Sequence, residues 1–181
     1  MQRQSKNIRY FKPGLANPLT ILSTMINPQI VRSATVLEIY QQGTLITAES
    51  AMGKTDLALQ LIERGHHFIC DDAVVLERMQ SQLFARAPDS LTSKIAIRGM
   101  GVLQLHDYFP KESIKQQANI QIIIDIQVWQ KDRWQKLDPL ECLSEKQSLL
   151  GVEIDCYTLP YKAGRPTALL VELLVKHYIQ N

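Results

Sequence analysis

Residues 45–65 of the chain read LITAESAMGKTDLALQLIERG. A short apolar run rich in β-forming residues leads into a polar segment, and a helical pattern of leucine and isoleucine follows it and ends at a glycine. This order predicts a strand, a loop and a helix from about Gly53 to Arg64. A loop between a strand and a helix N-terminus is a place where proteins bind phosphate groups.

The loop in this unit, residues 48–55, reads AESAMGKT and keeps the spacing of the phosphate-binding pattern GxxxxGK[ST]. In such a loop, backbone N–H groups surround phosphate oxygens, the lysine reaches the terminal phosphates and the final hydroxyl binds Mg²⁺. The predicted nucleotide-binding residues are Ala48, Glu49, Ser50, Ala51, Met52, Gly53, Lys54 and Thr55, of which Thr55 is also a predicted metal ligand. Alanine replaces the first glycine at position 48, which would cost on the order of 1 kcal/mol if the backbone there were left-handed. A helix start without any ligand is the alternative interpretation.

An acidic pair, Asp71 and Asp72, follows the next predicted strand. Successive side chains on a strand point to opposite faces, so we expect at most one carboxylate to face the phosphates and the other to turn toward the structure. The carboxylate that faces them could accept the proton of a hydroxyl or hold Mg²⁺. A solvated turn between strands is the alternative.

Two cations lie on loops that contain glycine. Arg98 follows a predicted strand and Arg165 precedes the last predicted helix, so either could offset charge on a transferring phosphate, or be a solvated residue of a surface turn. The histidines show no metal-ligand spacing and are interpreted as structural: His66, His67, His106 and His177.

The rest of the chain predicts one α/β domain with a mixed sheet. Residues 1–34 contain scattered prolines and glycines and predict an irregular arm, with one short helix near residues 19–26. The domain covers 35–181, with a polar insert between 130 and 150 and an apolar C-terminal helix. The predicted strands are TVLEIY, GTLITA, two within HHFICDDAVVLERM, SQLFARA, one at the start of KIAIRGMGVLQLHDYFP, ANIQIIIDIQVW and EIDCYTLPY.

Composition excludes several classes of protein. At 181 residues with 45% hydrophobic and 21% charged residues, a single globular domain is expected. A net charge of +2 without a basic and aromatic stripe argues against a nucleic-acid partner. The absence of a signal peptide or of 18 consecutive apolar residues predicts a cytoplasmic protein with no membrane partner. The three cysteines, which have no CxxC pair, are predicted to be reduced and mostly buried: Cys70, Cys142 and Cys156.

From roughly Thr35 to Tyr178 the chain resembles the catalytic domain of HPr kinase/phosphorylase, which phosphorylates a serine of the phosphocarrier protein HPr and removes that phosphate. The matching segments are VLEIYQQGTLITAESAMGKTDLALQLIERGHHFICDDAVVL, IRGMGVLQLHDYF and LPYKAGRPTALLVELLVKHY. The resemblance implies a mixed-sheet phosphate-loop fold related to phosphoenolpyruvate carboxykinase, the cofactors ATP and Mg²⁺, and a homo-oligomer that is commonly a hexamer.

The resemblance also implies roles for individual residues. Lys54 would contact the phosphates, Thr55 the metal, and Asp72 would serve as base in the kinase direction and as acid in the reverse. We place Asp71 with Thr55 at the metal, and Arg98 and Arg165 among the catalytic residues. Residues 97–105 match the family's signature segment and residues 160–165 a loop linked to dephosphorylation.

Several positions depart from the family pattern. Besides Ala48, Ser33 stands where the family has a histidine, and Ala96 stands where it has a glutamate that contributes to Mg²⁺ binding. The loop 162–166 reads KAGRP in place of Arg-Pro-Gly-Arg-Asn, and an expected arginine has only Arg133 or Lys136 as a counterpart. The N-terminal domain of longer members has no counterpart in the first 34 residues.

Three functions follow as hypotheses. The first is ATP-dependent phosphoryl transfer to a serine of HPr or a similar small protein. The second is a nucleotide-binding regulatory module that has lost catalysis, which the changes at Ser33, Ala48 and Ala96 motivate. The third is the same chemistry on another hydroxyl compound.

Overall fold

The computed structural model describes residues 27–128 and 143–181. Within these ranges the chain forms eleven strands and two α-helices. The strands are β1 Gln29–Arg32, β2 Thr35–Ile39, β3 Gln42–Ala48, β4 His67–Cys70, β5 Val74–Met79, β6 Gln82–Arg86, β7 Lys94–Ile97, β8 Gly101–Gln104, β9 Gln117–Val128, β10 Ser144–Leu149 and β11 Val152–Tyr161. The helices are α1 Lys54–Glu63 and α2 Thr167–Gln180.

Nine of the described strands form one mixed sheet around the long strand β9. The order is β1-β5-β6-β9-β3-β2-β4, and β11 joins at β9 with β10 outside it. β9 runs parallel to both β3 and β11 and antiparallel to β6. β7 and β8 form a separate antiparallel hairpin. The predicted mixed α/β fold is thereby confirmed.

The sheet is buried on both faces. Along β9, Ile122, Ile124 and Ile126 pack on the side of the two helices, whereas Ile123 packs on the opposite side with Leu45 of β3. Parallel strands covered on both faces are expected to be apolar without interruption, which explains the run of isoleucines. The predicted strands β3 and β9 and the predicted helix α1 occur as expected from this patterning.

Helix α1 starts and stops where glycines allow it. Gly53, before the first turn, has φ 77°, and Gly65, after the last, has φ 91°, both in the left-handed region that glycine adopts without strain. The N–H of Gly65 donates to the Ile62 carbonyl at 2.9 Å, and that of His66 to the Leu61 carbonyl at 3.1 Å, so the end of the helix is satisfied by its own backbone. This fixes the helix with its N-terminus at the end of β3.

An ion pair holds the two helices together. The buried carboxylate of Glu172 on α2 accepts from Arg64 Nε at 2.8 Å and lies 2.8 Å from His66 Nε2. The hydrogen bond from Arg64, helped by His66, holds the pKa of Glu172 below its ordinary value although burial opposes this. The pair anchors α2, whose first turn lies beside the loop 48–55.

The structure differs from the sequence-based expectation at two edges. Residues 29–32, within the arm expected to be irregular, form β1 and pair with β5, and residues 144–149, within the predicted insert, form β10. Both are short edge strands with mostly exposed side chains, so they carry no hydrophobic alternation. The expected short helix near 19–26, together with Arg133, Lys136 and Cys142, lies outside the described residues.

The two cysteines within the described ranges are free and buried, as predicted. Burial raises the pKa of the Cys156 thiol to about 11, and it raises the pKa of Cys70 as well, with a further contribution from the charge of Asp71. Neither described helix is long and apolar enough to cross a lipid bilayer.

Candidate active site

The site lies at the sheet edge where the parallel strands end. Ala48, the last residue of β3, stands beside Ile126 of β9, which in turn pairs with Leu159 of β11. β4 ends at the same edge, because Cys70 pairs with Val36 near the start of the antiparallel strand β2. In open α/β sheets the crevice outside the carboxyl ends of the strands is where ligands bind.

A cleft of about 550 Å³ opens at this edge. Six of the eight residues predicted to bind nucleotide line it: Ala48, Ser50, Ala51, Gly53, Lys54 and Thr55. The acidic pair, Arg98 from the turn of the β7–β8 hairpin, and the substituted positions Ser33 and Ala96 line it too. Segments that are up to 65 residues apart in the sequence therefore meet in one cleft, as the hypothesis requires.

The loop 48–55 is curled back on itself. The Lys54 ammonium donates to the carbonyl oxygens of Ala48 at 3.0 Å and of Glu49 at 3.4 Å, so the side chain closes the loop that precedes it. No side chain among the described residues caps the start of α1. The N–H groups of its first turn are therefore left to a ligand or to water, and they carry the positive end of the helix dipole.

The backbone cost of this loop falls at Ala51, whereas we expected any such cost at Ala48. Ala48 ends strand β3 and is not among the residues with positive φ, so its methyl group costs nothing. Ala51 has φ 65°, a left-handed conformation that costs an L-residue with a side chain roughly 1–2 kcal/mol. The first position of the motif tolerates alanine because it is extended, and the turn is made three residues later.

Both aspartates line the cleft. Because β4 ends at Cys70, before the pair, strand alternation does not extend to it, and which carboxylate faces the phosphates stays a prediction. Asp71 is buried and accepts hydrogen bonds from the Thr55 hydroxyl, at 2.7 Å, and from the Thr35 hydroxyl.

Asp72 differs from its neighbour. It is exposed, it has φ 68°, and the Ser33 hydroxyl donates to its carboxylate at 3.5 Å. The left-handed backbone at Asp72 turns the chain from β4 toward β5 and leaves the carboxylate at the mouth of the cleft. The buried acid and the exposed acid are thus suited to different tasks.

Arg165, Met52 and Glu49 lie elsewhere. Arg165 and Met52 line a second, smaller cleft of about 160 Å³, in which the Arg165 guanidinium donates to the Pro160 carbonyl at 2.9 Å. Glu49 lines neither cleft. The two clefts share Gly53 and Asp56 and so lie on either side of the start of α1.

Sequence reasoning missed two contributors, Thr35 and Asp56. Thr35 is fully buried at the start of β2 and bonds to Asp71, and Asp56 lines both clefts from the first turn of α1. The signals that could have pointed to them are a threonine at the start of the strand TVLEI and an acid directly after the phosphate motif.

The cleft fits a divalent cation only together with an anionic ligand. Across the described ranges, no three histidine, cysteine or acidic side chains come together as a metal site made of protein alone. Mg²⁺ is usually held by one or two carboxylates plus substrate phosphates, and the Asp71 carboxylate with the Thr55 hydroxyl is a donor set of that kind. The lining carries two cations and three carboxylates, so a polyphosphate would need a cation to offset its charge.

Fold and cleft together define an α/β domain with a mixed sheet, whose site is built from a lysine-bearing loop and two aspartates at the ends of the strands. Comparison with known proteins names the family. The model of the HPr Serine kinase C-terminal domain matches residues 24–181. The chain therefore belongs to the HPr serine kinase C-terminal domain family.

Relatives named HPr kinase/phosphorylase agree with this assignment. Those of Neisseria meningitidis serogroup C and Alkaliphilus metalliredigens are 37% and 32% identical over 169 and 168 residues, which is 92% of this chain in both cases. The match covers 53% and 54% of those relatives, so this chain spans about half of their length. The solved structure of the Hpr(Ser) kinase/phosphatase from Coxiella burnetii superposes with a TM-score of 0.76 at 30% identity, covering 83% of this chain and 91% of that one.

Proposed function

We propose that this chain catalyses ATP-dependent phosphoryl transfer to a serine of HPr or of a similar small protein. In this proposal residues 35–181 form the catalytic domain and residues 48–55 form its phosphate-binding loop. The observation that carries the proposal is the curled loop itself, which Lys54 closes and which lines one cleft together with Asp71 and Asp72. Membership of the family supports the same reading.

Each residue of the cleft has a chemical task in this scheme. The ammonium of Lys54 has three donors and can exchange its loop carbonyls for phosphate oxygens, while the free amides of the first turn of α1 bind the same anion. Asp72, exposed at the cleft mouth, can be reached by a hydroxyl carried on another protein and accepts its proton as the Oγ–P bond forms. Arg98, from the hairpin turn, offsets charge that develops on the transferring group.

Asp71 is better suited to the metal than to proton transfer. It is buried, it is bonded to two hydroxyl groups, and one of these is the Thr55 hydroxyl predicted to bind Mg²⁺. Mg²⁺, when bound, would supply positive charge that neutralises the phosphates. We propose Asp71 and Thr55 as the residues of this chain that hold it.

The test is transfer from labelled ATP to purified HPr by the whole chain, with Asp72→Asn beside the wild type. We expect transfer that requires Mg²⁺ and that falls by about 10²- to 10⁴-fold in Asp72→Asn, the usual contribution of a positioned general base. If Asp72→Asn lost transfer but still bound ATP as the wild type does, Asp72 would act in the phosphoryl-transfer step and not in nucleotide binding. Absence of transfer by the wild type at every Mg²⁺ concentration would overturn the proposal.

A nucleotide-binding module without turnover is the second candidate. The observation that favours it is Ala96, whose position lines the cleft and offers a methyl group where a carboxylate would add a metal ligand. Tight ATP binding without any transfer or hydrolysis would support this alternative, whereas measurable turnover would exclude it. A kinase of another hydroxyl acceptor is distinguished by transfer that occurs only when small hydroxyl compounds replace HPr.

The assembly stays a prediction. We expect a homo-oligomer, with a hexamer as the state implied by the resemblance, and the exposed apolar side chains of Leu169 and Leu173 on α2 and Val102 on β8 are available for contacts. Sedimentation velocity of the purified chain tests this. The predicted relationship to phosphoenolpyruvate carboxykinase likewise stays a prediction.

A further inference from the structure

We propose that Ser33 is itself a phosphoryl acceptor, so that the chain phosphorylates its own Ser33 within the cleft. This inference rests on the proposed function in one respect, because it needs ATP bound at the loop 48–55. It adds a covalent modification site at a position where the family resemblance placed a histidine.

The geometry joins a nucleophile to a base. The Ser33 hydroxyl donates to the Asp72 carboxylate at 3.5 Å, and both residues line the cleft that contains Lys54 and Thr55. This is a long hydrogen bond, of the kind that tightens when a substrate closes a site. A hydroxyl paired with a carboxylate base beside a phosphate-binding loop is the arrangement that activates a serine.

Strand pairing on either side of Ser33 and Asp72 fixes the backbone that carries them. Arg32 at the end of β1 pairs with Val74, and Val36 on β2 pairs with Cys70. The segments that carry Ser33 and Asp72 therefore run between two fixed strand pairs rather than in a free loop. Ala34, next to Ser33, is fully buried, which further limits movement of the backbone. Holding a nucleophile and its base in place lowers the activation free energy of an intramolecular reaction by a large share.

The reaction balances without any further reactant. The Ser33 oxygen attacks the γ-phosphorus of ATP, its proton passes to the Asp72 carboxylate, and the bond from phosphorus to the β,γ-bridging oxygen breaks. The products are phosphoserine at position 33 and ADP, and Asp72 returns its proton to solvent. A protein acceptor would compete with Ser33 for the same phosphoryl group, because both hydroxyls would use Asp72.

The experiment incubates the full chain with labelled ATP and Mg²⁺ in the absence of any acceptor, and tandem mass spectrometry locates the phosphate. We expect it on Ser33 in the wild type and equally in Ser148→Ala, whose exposed serine on β10 lies away from the cleft lining. Ser33→Ala and Asp72→Asn should lose the label while calorimetry shows that they still bind ATP. The label should survive neutral hydroxylamine, which cleaves an aspartyl phosphate but leaves a phosphoserine intact.

The initial labelling rate per chain should not change over a hundredfold dilution of the protein, because nucleophile and base belong to one chain. A wild type that binds ATP and phosphorylates HPr but carries no phosphate on Ser33 would overturn the inference and leave the proposed function intact. A wild type that does not bind ATP would overturn both. Labelling whose rate per chain rises in proportion to concentration would refute the intramolecular step.

Discussion

Exchanging alanine for glycine at two places in the loop 48–55 tests where its backbone is strained. At Ala51 (φ 65°), glycine removes roughly 1–2 kcal/mol of left-handed backbone strain from the folded state. It also makes the unfolded chain more flexible, which lowers the stability by about 0.4–1 kcal/mol. Ala51→Gly should therefore raise the free energy of unfolding by about 0.5 kcal/mol. Ala48→Gly removes no strain and loosens the end of β3, so it should lower that free energy by about 0.5–1 kcal/mol.

Thermal and urea unfolding of the two variants provide the assay. For a domain of this size 1 kcal/mol corresponds to about 2–4 °C in Tm, so the two variants should differ by roughly 2–6 °C, with Ala51→Gly the more stable. The pair is matched, because the same methyl group is removed three residues apart. If Ala48→Gly proved as stable as Ala51→Gly or more so, the account of which residue makes the turn would be refuted.

Three further substitutions test individual contacts within the fold, of which the first lies in the cleft. Thr55→Ala leaves the buried Asp71 carboxylate without one of its two hydroxyl donors and should cost about 1–2 kcal/mol of unfolding free energy, which Thr55→Ser should restore. Glu172→Gln should cost roughly 2 kcal/mol at pH 7. Because the folded pKa of Glu172 is lowered from 4.5, this cost should be largest above pH 4.5 and shrink as the pH falls through the lowered value. Gly43→Ala would place a Cβ atom 2.0 Å from the Asn119 carbonyl oxygen and should cost about 1–3 kcal/mol by forcing β3 from β9.

Each of these has an outcome that contradicts it. A Thr55→Ser variant no more stable than Thr55→Ala would show that the hydroxyl does not serve Asp71. If the difference in unfolding free energy between Glu172→Gln and the wild type did not change with pH, the Glu172 carboxylate would not be ionised in the folded protein. Gly43→Ala with unchanged urea unfolding would mean that the close approach of β3 and β9 is not as described.

The parts of the fold that sequence could predict are those with strong hydrophobic patterning. β3, α1 and β9 follow from apolar runs that are buried on one or both faces, and the loop 48–55 follows from its spacing between two of them. β1 was not predictable, because an edge strand with Val31 two-thirds exposed carries no pattern that distinguishes it from an irregular segment.

The details of the site depend on backbone dihedrals and on distant contacts. That Ala51 and not Ala48 is left-handed is decided by the path of the loop, which the residue types do not encode, since an alanine stands at both positions. That Asp71 and Asp72 both line the cleft depends on where β4 ends. That Arg165 lines the second cleft goes with its hydrogen bond to the Pro160 carbonyl, a contact that the residue types do not specify.

Calorimetric titration of the whole chain with ATP, with and without Mg²⁺ and beside Lys54→Ala, measures whether residues 48–55 bind the phosphates of a nucleotide. We expect binding that Mg²⁺ strengthens and that Lys54→Ala weakens by about 10- to 100-fold, because the variant loses a charged hydrogen bond worth about 1.5–3 kcal/mol. Absence of ATP binding at every Mg²⁺ concentration, or equal affinity in Lys54→Ala, would contradict this expectation.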